Sequence, residues 1–192
     1  MIGFVVIGYG SLIWDLDDLA PHVEGQWTNY GGPWLPLEFS LISAKRRRGL
    51  ALVIDHEHGQ SCPSCIINSS SNTIEKAVQN LAARERTSDK NIGFIERNSW
   101  AARSRSITTL SAVRNWLSDT DYTGAVWTDG ASNFEPTLGV GFSVATAVAH
   151  LHSLKGESAA EAKRYITLAP EKVDTPLRRA LSEQSWWIKQ QY

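Results

Sequence analysis

The chain has 192 residues and a formal net charge of -1, from 19 basic and 20 acidic side chains. This length suits one domain with a substantial core, and the near-zero charge gives no general attraction to nucleic acid or to an anionic membrane. The first apolar stretch is short and has no basic residues before it, unlike a signal peptide or a membrane span. We therefore expect a cytoplasmic protein with a single domain over residues 1–192 and a small-molecule ligand, but no nucleic-acid or membrane partner. The sequence carries no signal for an oligomeric state.

The first predicted strand and the loop after it form the most informative segment. Residues 4–12 read Phe-Val-Val-Ile-Gly-Tyr-Gly-Ser-Leu, an apolar run that ends between two glycines. Glycine lets the backbone turn sharply after a strand, and successive N–H groups in such a turn hold a carboxylate or an oxyanion. The loop over Tyr9, Gly10, Ser11 and Leu12 is therefore a candidate for close approach to a ligand. The alternative is a simple turn that leaves a core strand.

Two familiar glycine motifs do not fit this segment. A dinucleotide-binding fingerprint needs a third glycine or alanine three places beyond Gly10, where Ile13 stands. A nucleophile elbow needs a glycine two residues on either side of its serine, whereas Ser11 has Tyr9 and Ile13 at those places. Ser11 is therefore predicted to form hydrogen bonds rather than to attack a substrate.

The first hundred residues are predicted to be rich in strands. Short apolar segments between Gly-, Pro-, Asn- and His-containing connections predict strands at 4–8, 37–43, 48–54, 65–67, 93–96, 103–109 and 125–127. Short strands joined by loops favour a sheet that curls or closes. We expect an α+β fold, a small closed or partly closed β-barrel of mostly antiparallel strands flanked by helices.

A basic run and a group of possible metal ligands follow in the strand region. Residues 45–48 read Lys-Arg-Arg-Arg, which without a companion basic stripe is typical of a solvated strand edge rather than a nucleic-acid contact. His56, His58, Cys62 and Cys65 lie within ten residues and are sufficient in number and type for tetrahedral zinc. Structural zinc sites usually combine two separated ligand pairs, and no second pair exists in this chain. We expect no metal or other cofactor, and zinc stays open as the alternative.

A helix is predicted from Thr73 to about Arg86, with Asn72 as its N-cap and Glu75 completing a capping box. At about 100° per residue, its apolar residues fall on one stripe, and Glu85 returns to about 20° from Ile74.

Glu85 is the strongest candidate for a catalytic residue on this helix. Its neighbours Arg84 and Arg86 fall to either side of the stripe, so the pattern predicts an acid directed inward between two snorkelling bases. A carboxylate on an apolar face needs a buried partner or a function. The alternative is that the helix frays after Leu81 and that Glu85 sits at a solvated end.

The C-terminal residues 143–192 are predicted to form a mainly helical extension packed on the domain. Helix starts are indicated at Ser143, at Ser158 with Glu161 in a capping box, and at Thr175 followed by Pro176. Gly156 is predicted to end the first of these helices.

Two separated segments resemble the gamma-glutamylcyclotransferase superfamily. Tyr9-Gly10-Ser11-Leu12-Ile13-Trp14 is similar to the YGSL signature in the longer form of the ChaC-like branch. Leu81-Ala82-Ala83-Arg84-Glu85-Arg86 is similar to the segment that carries the Arg-Glu pair of that branch. In the superfamily the loop holds the gamma-glutamyl part of the substrate, a later glutamate is the catalytic acid, and the fold is a small β-barrel with helices.

The resemblance implies an enzyme that releases 5-oxoproline from a gamma-glutamyl substrate by intramolecular amine attack. Glu85 would be its general acid and base, and no cofactor or metal is implied. Arg48-Gly49 runs on into Leu50-Ala51 where the branch usually carries Pro-Gly, and the substrate stays open among glutathione, a gamma-glutamyl amino acid and a gamma-glutamyl amine. The alternative function is a non-catalytic small-metabolite-binding or scaffold protein of the same fold.

Overall fold

The structure, a computed structural model, describes residues 2–99 and 101–189. These residues form an α+β fold, as predicted. The strands are β1 (Ile2–Gly8), β2 (Val23–Thr28), β3 (Trp34–Ser43), β4 (Gly49–Ile54), β5 (Gln60–Pro63), β6 (Cys65–Ser69), β7 (Ile92–Glu96), β8 (Ala102–Arg103) and β9 (Tyr122–Thr128). The helices are α1 (Ile74–Glu85), α2 (Ile107–Ser118), α3 (Phe134–Leu138), α4 (Val144–Ser153), α5 (Gly156–Leu168), α6 (Pro176–Ser182) and α7 (Ser185–Lys189). Short 3₁₀ helices lie at Ser11–Ile13, Asp17–His22 and Asp89–Asn91.

The chain divides into two compact units. The first takes in the chain up to Leu35 and Pro63–Gly130, and the second takes in Pro36–Cys62 and the chain from Ala131 onward. The predicted single domain over 1–192, with its helical extension over 143–192, stays a prediction.

The first unit contains a six-stranded mixed sheet in the order β2-β6-β1-β9-β7-β8. β1 pairs antiparallel with β6 and parallel with β9, with Ile7 opposite Trp127 in the parallel pair. β2 pairs antiparallel with β6, and β7 pairs antiparallel with both β8 and β9. Because β1 and β9 run in the same direction, Gly8 and Thr128 end their strands at the same edge of the sheet.

The core of the first unit lies between this sheet and α1. Side chains alternate between the two faces of a strand, so Phe4 and Val6 of β1 share one face. They pack with Ile74, Val78 and Leu81 of α1 in one buried cluster. α2 packs against β7 and β9 and buries Val113 and Leu117 completely.

The second unit contains a three-stranded sheet in the order β4-β3-β5 and helices α3 to α7. β3 and β4 are antiparallel, with Ile42 opposite Leu50. α5 packs against β4, and its side chains Ala162, Tyr165 and Ile166 are buried.

Most predicted strands are present, and one is wrong. Residues 103–109 were predicted as a strand, but β8 ends at Arg103 and α2 begins at Ile107. Ser106 caps this helix, because its hydroxyl accepts hydrogen bonds from the N–H groups of Thr108 and Thr109. β2 and β5 were not predicted.

Two predicted helix starts are confirmed and one is wrong. Ser143 caps α4 in a reciprocal capping box with Thr146, and Thr175 caps α6 with a proline in its first turn. Ser158 does not start a helix, because α5 already begins at Gly156. Gly156, with a φ of 54°, therefore begins a helix instead of ending one.

The predicted closed barrel is not confirmed. The described strands form one sheet of six strands and one of three, and no closed barrel is found among them. Within the described residues no helix has both the length and the apolar character needed to cross a membrane.

Candidate functional site

β1 leads directly into the predicted binding loop. The backbone turns at Gly10 into the 3₁₀ helix Ser11–Ile13, which is closed by a 3.1 Å hydrogen bond from the N–H of Ile13 to the carbonyl of Gly10. The first N–H groups of a helical turn have no partner within it. Those of Ser11 and Leu12 meet no acceptor among the described residues, which leaves two neighbouring donors in this loop.

Two side chains of the loop serve to anchor it. The hydroxyl of Tyr9 donates a 2.6 Å hydrogen bond to the carbonyl of Thr128, at the end of β9. Leu12 is buried in the cluster that contains Phe4 and Leu81. The side chains of Tyr9 and Leu12 therefore support the loop structurally. The backbone of the loop and the side chain of Ser11 are left as the candidate ligand-binding groups.

α1 ends beside this loop. Thr73, rather than the predicted Asn72, is its N-cap, because the Thr73 hydroxyl accepts a hydrogen bond from the N–H of Lys76. Arg86 ends the helix in the left-handed conformation, with a φ of 53°, and its N–H bonds to the last carbonyls of the helix. Glu85 is therefore the last helical residue and lies just before a sharp turn.

Arg84 is the buried charge at this helix end. Its side chain is 1% exposed, so the prediction that it snorkels to solvent is wrong. Its Nη2 donates to the hydroxyl oxygen of Ser11 at 3.2 Å and to the backbone carbonyl of Asp15. Its Nη1 donates to Oε1 of Glu85 at 2.9 Å. One guanidinium therefore connects the loop after β1 with the carboxylate at the end of α1.

Glu85 is half-buried, with 23% of its side chain exposed, whereas the sequence predicted an acid directed into the apolar face. The residue lies in the last turn of the helix, where the apolar cover is incomplete. Oε1 is held by Arg84, and Oε2 accepts no hydrogen bond from any described residue. Glu85 thus presents one fixed oxygen and one available oxygen.

The site combines a carboxylate, a hydroxyl, a buried guanidinium and two backbone donors. A carboxylate that can reach solvent and substrate is suited to proton transfer. Paired backbone N–H groups are suited to hold an oxygen that gains negative charge. Arg84 and the carbonyl of Asp15 were not predicted as parts of the site. The only sequence signal for Arg84 was its position, about 80° from the centre of the apolar stripe and therefore beside it.

The possible zinc ligands do not form a metal site. In the described part of the chain, no group of three or more His, Cys, Asp or Glu side chains stands close enough to hold a metal ion. Cys62 and Cys65 are both buried free thiols. Burial raises the pKa of each thiol above its ordinary value, so both resemble small apolar side chains rather than metal-binding thiolates. His58 instead lies beside Asp55, with 3.5 Å between Nδ1 and Oδ1.

The basic run at 45–48 is largely engaged within the second unit. Arg46 is buried, donates a 3.0 Å hydrogen bond to Glu161 and stacks over the ring of Tyr165. Arg47 forms an ion pair with Glu157. These contacts tie the β3–β4 turn to α5.

Comparison of the chain with protein-family models, with curated proteins and with solved structures gives no match.

Proposed function

We propose that this chain is a gamma-glutamylcyclotransferase-type enzyme that releases 5-oxoproline from a gamma-glutamyl compound, with Glu85 as general acid and base. One observation carries the proposal. Ser11 and Arg84, 73 residues apart, are in hydrogen-bond contact, and the same guanidinium holds Glu85. The two segments that resemble the superfamily therefore meet in space, in the described first unit, as a substrate-binding loop and a catalytic acid must.

The proposed reaction begins with proton transfer. Oε2 of Glu85 takes a proton from the α-ammonium group of the substrate, and the freed amine attacks the γ-carbonyl carbon. A new C–N bond closes a five-membered ring, and the carbonyl oxygen takes on negative charge. The N–H groups of Ser11 and Leu12 stabilise that oxygen by donating hydrogen bonds to it.

Collapse of this intermediate completes the reaction. The carbonyl re-forms, the original amide C–N bond breaks, and Glu85 returns its proton to the leaving nitrogen. The ring nitrogen loses its second proton to the departing amine, which leaves as an ammonium group. The products are 5-oxoproline and an amine. Because the nucleophile and the electrophile belong to one molecule, binding in the right conformation supplies much of the rate acceleration.

The proposal also covers the detailed fold, the kind of partner and the cellular location. It includes the small closed or partly closed barrel of the superfamily. The loop follows β1, which lies in the middle of the six-stranded sheet. The proposal also includes a small-molecule partner and a cytoplasmic location. The amine part of the substrate stays open among glutathione, a gamma-glutamyl amino acid and a gamma-glutamyl amine.

A panel of gamma-glutamyl compounds, assayed for 5-oxoproline release, tests the proposal. We expect the wild-type protein to turn over at least one compound and Glu85→Gln to lose at least about 10²-fold in kcat, since general acid and base catalysis contributes that much or more. Glu75→Gln is the matched control, because Glu75 lies exposed in the first turn of the same helix. Circular dichroism should show that both variants fold. No turnover of any compound by wild type would favour the non-catalytic binding protein, and full turnover by Glu85→Gln would remove Glu85 as the base.

A further inference from the structure

Burying the guanidinium of Arg84 costs free energy, and this cost needs an explanation. The Arg84 side chain is 1% exposed, and its Nε is buried without an acceptor among the described residues. Burying a charge is unfavourable unless its partners compensate, and an unpaired buried donor adds to that cost. An apolar residue at this position of the helix would avoid both penalties. The arginine is therefore expected to do something that an apolar side chain cannot.

The partners of Arg84 come from three separate points of the first unit. Nη2 donates to the hydroxyl of Ser11, the first residue of the 3₁₀ helix after β1, and to the carbonyl of Asp15, two residues beyond that helix. Nη1 donates to Oε1 of Glu85. The guanidinium is planar and rigid, so its donors fix these acceptors relative to each other. A lysine would carry the charge but has no fork to span them.

We propose that Arg84 is a positioning residue that sets the catalytic geometry, a role that rests on the proposed function. By holding Oε1 it makes Oε2 the oxygen that exchanges protons. By holding Ser11 and Asp15 it fixes the loop, and hence the backbone donors of that loop, at a set distance from Oε2. Arg84 itself is too buried to touch the substrate, so it acts through Glu85 and the loop.

Arg86 provides a matched control on the other side of Glu85. It carries the same charge, but its side chain is 67% exposed and its nearest carboxylate, that of Asp17, lies 3.7 Å away. Among the described residues, Arg86 forms no hydrogen bond or ion pair with Ser11 or Asp15, the two loop residues that Arg84 binds. Arg84→Gln and Arg86→Gln therefore remove the same charge. Only Arg84→Gln also removes the contacts with the loop and with Glu85.

The test compares Arg84→Lys, Arg84→Gln, Ser11→Ala and Arg86→Gln in two measurements. The first is kcat and KM for 5-oxoproline release from whichever gamma-glutamyl compound wild type turns over. The second, which needs no activity, is hydrogen–deuterium exchange of the segment from Ser11 to Asp15. We expect both Arg84 variants to lose about 10² in kcat, the scale of a 1 Å misplacement, with KM changed less than about threefold. Exchange in the segment should rise, and Arg86→Gln should match wild type in both measurements.

The outcomes separate this role from the proposed function. If wild type is active and Arg84→Lys keeps its kcat, the positioning role is wrong while the enzyme assignment stands. If wild type turns over no compound, the enzyme assignment fails, and unchanged exchange in Arg84→Lys would also remove the structural link. If both Arg84 variants fail to fold, Ser11→Ala decides, because it removes one acceptor without altering the helix. A fall in its kcat with faster exchange of the loop supports the role, and no change in either overturns it.

Discussion

The indole ring of Trp27 lies directly over Gly8, at the point where β1 leads into the binding loop. A Cβ added at Gly8 would stand 2.6 Å from Cη2 of Trp27, closer than any real contact. Trp27 belongs to β2 and is itself packed against the core cluster. The absence of a side chain at residue 8 therefore allows an aromatic ring to cover the end of the strand that carries the loop.

Gly8→Ala is expected to destabilise the protein by about 1–3 kcal/mol, since the added methyl group must displace a packed ring. Gly3→Ala is the matched control in the same strand, because nothing lies within 4 Å of a Cβ added there. That substitution should leave the free energy of unfolding unchanged or slightly raised. Urea unfolding of both variants measures the difference. Equal midpoints for the two would show that Trp27 does not need the space at Gly8.

Tyr9→Phe is expected to lower the free energy of unfolding by about 0.5–1.5 kcal/mol, because it removes the 2.6 Å hydrogen bond to the carbonyl of Thr128. Tyr122→Phe is the control, since the Tyr122 hydroxyl bonds to Asn68 at an exposed position. Its effect should be within about 0.5 kcal/mol, as is usual for surface sites. Thermal unfolding of the two variants compares them. A larger loss for Tyr122→Phe would contradict the anchoring role of Tyr9.

Helix α1 shows how far periodicity predicts this site. The repeat of Ile74, Val78 and Leu81 placed the buried face correctly, and all three are buried. It also predicted an inward Glu85, whereas that side chain is 23% exposed. It did not predict that Arg84 would be the buried charge, because the residues that cover this flank, Ser11 and Asp15, come from a distant part of the chain. A local pattern gives the direction of a side chain but not what lies opposite.

Two errors elsewhere have a similar origin. Residues 107–109 read Ile-Thr-Thr, a β-branched run that favours a strand, yet Ser106 caps a helix there. The helix buries Thr109, Val113 and Leu117, whose spacing of four was the stronger signal. In α5, the predicted capping residue Glu161 instead binds Arg46 and Arg164. Glu161 therefore forms ion pairs, one of them with Arg46 from the β3–β4 turn, instead of completing a capping box.

Arg48→Gly is expected to stabilise the protein by about 0.5–1 kcal/mol. Arg48 is exposed and has a φ of 67°, a left-handed conformation that costs about 1–2 kcal/mol for most residues and almost nothing for glycine. Its backbone carbonyl, which accepts from His150, is kept in the variant. Arg48→Ala removes the same side chain without relieving the strain, so it should show no gain. Equal melting temperatures for the two variants would mean that the turn is not strained at this residue.

Glu38 is a fully buried carboxylate in the second unit. Oε1 accepts a 2.8 Å hydrogen bond from the N–H of Phe39, and Oε2 accepts one of 3.2 Å from the N–H of Leu177, in the first turn of α6. Burial raises the pKa of Glu38 above its ordinary value of 4.5 although these hydrogen bonds oppose the shift. The folded state therefore holds the proton more tightly than the unfolded state does.

This raised pKa predicts a pH-dependent loss of stability. The contribution of Glu38 is fully present below about pH 4.5 and is lost as the pH rises through its raised pKa, so wild type should lose stability relative to Glu38→Gln over that range.

Asp55 is expected to show a pH dependence of stability with the opposite sign. Burial would raise its pKa, but hydrogen bonds from Ser40 and from the N–H groups of His58 and Glu57 outweigh it and lower the pKa. Wild type should therefore lose stability relative to Asp55→Asn as the pH falls through the pKa of Asp55. Urea unfolding at a series of pH values measures both differences. Slopes of the same sign for the two variants would contradict the assignment of these two carboxyl groups, because only one of them gains stability from its charge.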